Sequence, residues 1–344
     1  MSTAAPRPRF AGVARFFRRH PVLLLLAFTP GIPEYLSGST AVYPLVINPL
    51  GFLLFLGLNL ALYGPGVLLL REAWVRWGRS WGALICFGAA YGLLEEGTAL
   101  STLFNPNASV VNGLGHYGRY VGVNWVWLIG VLGVHIIYSV GLPILLLGLA
   151  LPATRGRSLL TRRVTVVAAG VYVLDIVLLA YITHYYTVQL AWILGAVVVA
   201  LLFWAIAYRL PKGFLDPPRE RPSYGPRGFF LLGLAFFPAL LLVPAVGANY
   251  QVPAAVTWGI DFALLVALFF VIRQGIGRRA NEPHLILLAL GATLPIVLFG
   301  LLAQVGIPVV LVLDVVYGLF FYTLWNHYRP ATTPIRVPSG ASTN

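Results

Sequence analysis

Three stretches of this chain, Val131 to Leu151, Val164 to Ile182 and Leu190 to Ala207, run with almost no charge. Each reaches the roughly 20 apolar residues that cross a hydrocarbon core about 30 Å thick. A backbone inside lipid has no water to bond with, so every N–H and C=O must be satisfied within the segment or across a closed barrel. Runs this long satisfy that condition as α-helices, and open β-structure is excluded. Continued along the chain, the reading gives about ten spans, near 21–38, 48–70, 80–101, 123–150, 164–183, 188–208, 229–246, 254–273, 284–303 and 306–325. The fold class is therefore an all-α, polytopic transmembrane helix bundle.

Composition agrees: of the 344 residues, 59% are hydrophobic and 10% charged, against roughly 25% charged in soluble domains. The net charge of +13 raises the question of a nucleic-acid partner, which would require the basic residues to share one accessible face. They lie between the spans instead, and their distribution sets topology. Arg7, Arg9, Arg15, Arg18 and Arg19 precede the first span, Arg71, Arg76 and Arg79 follow the second, and the pattern repeats to Arg329 and Arg336. With ten spans, 22 of the 23 Lys and Arg residues fall on one side and only Arg119 on the other. Lys and Arg concentrate in cytoplasmic segments, which places both termini in the cytoplasm and the chain in the cell membrane as a multi-pass protein.

The organisation that follows is a basic cytoplasmic N-terminus (1–20), a six-span half (21–210), a cytoplasmic linker rich in Pro, Arg and Gly (211–227), a four-span half (228–326) and a polar tail (327–344). The first span is the weakest. Val22 to Phe28 is a short apolar core after a basic stretch and before Pro30 and Pro33, which also fits a signal-peptide h-region; the absence of a small-residue cleavage site favours a retained, proline-broken span. Cys86, the sole cysteine, permits neither an intramolecular disulfide nor a cysteine-based metal cluster.

Function is to be sought where a span carries an ionisable group, because each costs at least about 2.5–3.5 kcal/mol at mid-membrane. Glu95 and Glu96 lie in the third span, within Gly88-Ala-Ala-Tyr-Gly-Leu-Leu-Glu-Glu-Gly97. Gly88, Gly92 and Glu96 recur every four residues and share a helix face against which a second helix can pack closely. Two adjacent buried carboxylates cannot both hold charge cheaply, an arrangement in which one acid and one base coexist. His135 in the fourth span carries Tyr138 and Ser139 at the spacings of its own face, and His184 ends the fifth span beside Tyr185 and Tyr186. All four fall in the outer half of the bilayer. Asp261 and Asp314 share that depth, and Asp175 lies nearer mid-membrane. Each of these aspartates either lines the same cavity or bonds a local hydroxyl, as Asp261 can with Thr257. Glu34 is placed to cap a proline-broken helix, and Glu72, between Arg71 and Arg76, to form an exposed ion pair. The segment 101–123 is either a lid over the outer cavity or a connector.

The sequence Gly92-Leu-Leu-Glu95-Glu96, followed by His135 and His184, resembles the CPBP family of intramembrane proteases, which includes the CAAX prenyl proteases. The resemblance covers residues 80–190. It implies Glu95 as the water-activating base, Glu96 as its partner, His135 as the assisting group and His184 as oxyanion donor. The chain departs from the family at Ala99 and Leu100, where an arginine is sought, at Val131 in place of phenylalanine, and at Val188 in place of asparagine. Glu34-Tyr-Leu-Ser-Gly-Ser-Thr40, Tyr63-Gly-Pro-Gly66 through Arg71-Glu72, and Glu95-Glu96-Gly97 through Phe104-Asn105-Pro106 are also similar to a widespread set of uncharacterised prokaryotic membrane proteins.

Three functions follow as expectations. The first is an intramembrane hydrolase acting on a membrane-embedded peptide; no cofactor is expected for it, although two histidines and a carboxylate also form a set able to bind zinc. The second is a proton-coupled transporter or channel for a small molecule, relaying through Glu95, Glu96, Asp175, Asp261 and Asp314. The third is a non-catalytic module that binds lipid or a partner protein. The bilayer is a partner in all three, and nucleic acid in none.

Overall fold

The structure is a computed structural model that describes residues 11–40, 47–183, 188–279, 281–303 and 308–328. The described residues are predominantly helical, with a two-stranded hairpin pairing Arg119–Tyr120 with Val123–Asn124 and an isolated bridge between Arg219 and Gly277. We number the helices in chain order: α1 Ala11–Arg19, α2 Pro21–Leu36, α3 Pro49–Arg76, α4 spanning 81–99, α5 Trp125–Ala150, α6 Arg162–Ile182, α7 Leu190–Arg209, α8 Pro226–Asn249, α9 Ala254–Gly275, α10 Glu282–Ala303 and α11 Pro308–Tyr328. Among the described residues seven of these, α3 and α5 to α10, are long and apolar enough to cross a membrane. The segment α2 is apolar but shorter, and α4 is the helix that carries the glutamate pair. The chain is thus a polytopic helix bundle.

Apolar side chains cover the outside of this bundle as well as its interior. Val166, Val173, Leu174, Leu201, Leu231 and Leu302 are all exposed, which a protein dissolved in lipid tolerates and one in water does not. The interior is held by several apolar clusters, of which the largest joins Leu25 and Phe28 of α2, Leu146 and Leu147 of α5, Ile286 and Ala292 of α10 and Phe321 of α11. Helices on both sides of the 211–227 linker therefore share one core. Two backbones in it touch. A Cβ on Gly233 of α8 would fall 2.3 Å from the Leu288 carbonyl oxygen of α10, and one on Gly291 would fall 2.1 Å from that of Phe230. Close approach through small residues is how helices gain packing energy in lipid, where apolar contact alone supplies no preference for protein over solvent.

Among the described residues four helices contain a wide π-helical turn: Gly31–Leu36 in α2, Leu93–Ala99 in α4, His135–Gly141 in α5 and Pro238–Leu242 in α8. Proline accounts for two of them directly. Pro33 lies within the first and Pro238 opens the last, and each removes a backbone donor from the i→i−4 ladder. In α5 the turn runs immediately into Pro143, which cannot donate to the Ser139 carbonyl. No proline explains the turn in α4, where the Leu100 N–H reaches back five residues to the Glu95 carbonyl at 2.8 Å.

The arginine-rich end is tied down by ionic bonds. Glu72, expected in an exposed ion pair, is 1% exposed. It accepts from Arg71 at 2.9 Å, from the Leu159 N–H at 2.8 Å and from Ser158 at 2.5 Å. Arg71 in turn donates to the Thr154 and Arg157 carbonyls. The exposed reading fails because the chain between α5 and α6 folds back over this pair and supplies the partners that water would otherwise supply. At the opposite end, residues 101–123 form a bonded structure. Arg119 donates to the carbonyls of Gly115, Phe104 and Gly122, and Tyr117 donates to the Val252 carbonyl between α8 and α9.

Candidate functional site

Gly88 and Gly92 let α4 and α5 meet. A Cβ on Gly88 would lie 2.8 Å from the Ile136 Cα, and one on Gly92 would lie 3.0 Å from the His135 ring. The four-residue spacing noted in the sequence is therefore the contact face, and it brings the histidine onto the helix that carries the glutamates. Both helices widen into π turns at this contact, so Glu95, Glu96 and His135 all project from turns with one residue more than α-geometry allows. Turns of this kind recur at functional sites because they redirect side chains and release backbone groups.

The three side chains converge. His135 Nε2 lies 3.2 Å from Glu96 Oε1, and its Nδ1 lies 3.5 Å from Glu95 Oε2 and 3.0 Å from Ser139 Oγ. All three residues are buried, with Glu95 and His135 each 2% exposed. Glu96 is steadied on its far side, where Thr102 donates to Oε2 and the Trp127 indole donates to Thr102 at 3.0 Å. Glu95 lacks such support, for its Oε2 has no hydrogen-bond partner. The two glutamates are thus distinct: Glu96 is held by a hydroxyl, while one oxygen of Glu95 is left unpartnered beside the histidine.

A third carboxylate lies next to this cluster. Glu34, on the π turn of α2, accepts from Tyr63 of α3 and from Thr40, each at 2.5 Å. The role expected of it was a helix cap; one oxygen does take the local Thr40 hydroxyl just past the helix end, and the other takes a phenol from another helix. Tyr91 completes the enclosure, with its ring edge-on to His135 at 5.6 Å and stacked on Tyr172 of α6 at 6.1 Å. Beyond Tyr91 and Tyr172 opens a cavity of about 340 Å³ between α3, α4, α6 and α7. Its walls are apolar, including Leu69, Leu94 and Trp204, and Glu72, Arg76 and Thr165 line its arginine-rich end.

The other expected residues do not join the cluster by hydrogen bonds. Asp175 is buried on α6 one turn beyond Tyr172, and its Oδ2 is unpartnered. Asp261 is fully buried on α9 with both oxygens unpartnered. Its expected bond to Thr257 is not made, because the Thr257 hydroxyl pairs with Tyr117 at 2.6 Å. Asp314 on α11 also has both oxygens unpartnered. His184 lies outside the described residues. Sequence reasoning missed Tyr63, Tyr91, Thr102 and Trp127, and underused Glu34. The signal available for Tyr63 and Tyr91 was their position in otherwise apolar spans, each next to a glycine.

No curated protein and no solved structure matches the chain. One family model does, and its description names no activity and is not that of the CPBP proteases which the Glu-Glu and His residues resemble. Matched over residues 23–327, with the Glu95, Glu96 and His135 site inside the match, the chain belongs to an uncharacterized membrane protein family.

Proposed function

We propose that the chain is an intramembrane hydrolase that cuts a peptide bond in or beside the membrane with water activated at Glu95. The observation that supports this reading is the convergence of Glu95, Glu96 and His135 on one point from two facing π turns. Hydrolysis of an amide needs a base for the attacking water and a donor for the leaving nitrogen. Glu95 Oε2, unpartnered and 3.5 Å from the imidazole, is the base. His135, oriented by Ser139 and Glu96, carries the proton onward to the leaving amine. Glu96, immobilised by Thr102 and Trp127, balances the imidazolium that forms during transfer. His184 is the oxyanion donor that the resemblance to the CPBP family implies. The apolar cavity behind Tyr91 and Tyr172 suits a hydrophobic flank of such a substrate.

The test uses the protein in lipid nanodiscs with a library of quenched-fluorescent membrane peptides. Glu95→Gln and His135→Ala are each expected to lower the rate by about 10²–10⁴-fold, the usual worth of a positioned acid or base. A rate that survives Glu95→Gln within threefold, or no cleavage by the wild-type protein across the library, overturns the proposal.

A proton-coupled carrier has one observation in its favour. Polar groups run from Glu34 through Tyr63 to Glu95, and the Tyr91–Tyr172 stack continues to the cavity beside Arg76. A carrier in liposomes would acidify its lumen on a substrate gradient, and Tyr63→Phe would abolish that flux. Asp261 and Asp314, which such a relay was expected to include, have no hydrogen-bond partner among the described residues, which favours the hydrolase reading. A non-catalytic module fits worst, since it predicts that each buried acid is satisfied locally.

A further inference from the structure

We infer that Glu95, Glu96 and His135 bind one divalent transition-metal ion of the zinc class. One ligand atom from each residue can be chosen so that all three lie within 4.8 Å of one another. Ligands of a tetrahedral zinc with bonds of about 2.0–2.1 Å sit about 3.3 Å apart. The Nε2–Oε1 separation between His135 and Glu96 is 3.2 Å, the spacing of two ligands of one ion, and rotation of the Glu95 side chain supplies the third. Glu95 Oε2 is buried, has no hydrogen-bond partner among the described residues, and lies 3.5 Å from the same imidazole ring at Nδ1.

The surroundings have the form of a ligand shell's support. In the tautomer that donates Nδ1–H to Ser139 Oγ, at 3.0 Å, the lone pair of His135 is on Nε2 and faces Glu96 Oε1, and this is the tautomer that an ion at Nε2 selects. In that tautomer a cation at Nε2 relieves the opposition of lone pair and carboxylate, whereas in the other tautomer Nε2–H bonds Glu96 directly. Thr102 and Trp127 fix Glu96 as outer-shell groups fix a ligating carboxylate. Charge makes the same case. Two ionised carboxylates and a neutral imidazole carry −2, which one dication offsets in a medium where net charge is expensive, while Glu34 beside them keeps its Tyr63 and Thr40 donors. Carboxylate and imidazole ligands suit zinc, manganese or ferrous iron and disfavour calcium, which takes oxygen alone. A three-residue set leaves a coordination position open for water.

This inference deepens the hydrolase reading, since an ion here would take over activation of the water, but the binding itself is measured apart from activity. Full-length protein is purified in detergent, stripped with a chelator, and loaded with Zn²⁺ or Co²⁺. One equivalent per chain is expected by elemental analysis, with the intense visible bands of four-coordinate cobalt. Glu96→Gln and His135→Gln should each weaken binding by about 100-fold or more, while eluting and melting as folded protein. If His135→Gln does not fold, Glu95→Gln supplies the same comparison. Less than a fifth of an equivalent in the loaded wild type, or a full equivalent retained by folded Glu95→Gln/Glu96→Gln protein, overturns the inference. A wild type that fails to load but cleaves peptide overturns the metal site and leaves the hydrolase; a loaded site in a protein that cleaves no peptide does the reverse.

Discussion

Replacing Glu72 by alanine tests whether the arginine-rich end is held by its ionic core. Glu72 accepts from Arg71, Leu159 and Ser158 at 2.9 Å or less, and more loosely from Arg76 at 3.2 Å and the Leu160 N–H at 3.4 Å. Alanine leaves the guanidinium of Arg71, 3% exposed, with carbonyl acceptors but no counter-charge. Breaking a buried pair by deleting one partner costs about 3–5 kcal/mol, and the two orphaned loop N–H groups put this case in the upper part of that range. Removing both charges together as Arg71→Met/Glu72→Leu should recover most of the loss, because no buried charge is then left alone. Unfolding in bicelles with increasing SDS measures the three variants on one scale, and limited proteolysis of residues 152–161 reports whether the loop has come free. A loss below about 1 kcal/mol for Glu72→Ala, or a double variant no more stable than the single, would refute the reasoning.

Gly92→Leu should separate α4 from α5, since a Cβ there already meets the His135 ring at 3.0 Å; it is expected to cost about 1–3 kcal/mol, read by the same SDS titration, and to abolish metal uptake. Trp127→Phe removes the indole donor to Thr102 and should cost about 0.5–1.5 kcal/mol, with peptide cleavage falling less than tenfold, whereas Glu95→Gln takes it down by at least about 10². Tyr117→Phe frees residues 101–123 from the Val252 carbonyl and from Thr257; trypsin should then cut after Arg119 several-fold faster, with little change in global stability.

Helices were legible because their signal is local. A run such as Leu190 to Ala207 has one affordable backbone solution in lipid, and α7 occupies Leu190–Arg209. The Glu95–Glu96–His135 association was partly legible, since a costly residue type in a span points to function and the Gly88/Gly92 face points to the contact. Wide turns were not legible, because Leu93 to Ala99 contains no proline and nothing local separates i→i−5 from i→i−4 bonding. Glu72 was misread for a related reason. Its flanking arginines suggested a solvated helix end, whereas its burial depends on residues 154–160, more than 80 positions away. Glu34 shows the same limit: its partner Tyr63 is 29 residues distant and on another helix.

The wide turns explain why this bundle carries its acids where it does. An α-helix advances about 100° per residue, so adjacent residues such as Glu95 and Glu96 cannot both face a single neighbour. A π turn at Leu93–Ala99 changes that register, and one imidazole comes to lie 3.5 Å from the first carboxylate and 3.2 Å from the second. The same device in α2 places Glu34 beside the cluster through Tyr63. Three interrupted helices therefore present four ionisable groups to one buried region, at a cost in backbone geometry and desolvation that packing alone does not require. Asp261 and Asp314, on helices without a wide turn, stay unpartnered. The wide turns of α4 and α5 meet at this cluster and that of α2 lies beside it, whereas the turn in α8 carries no acid.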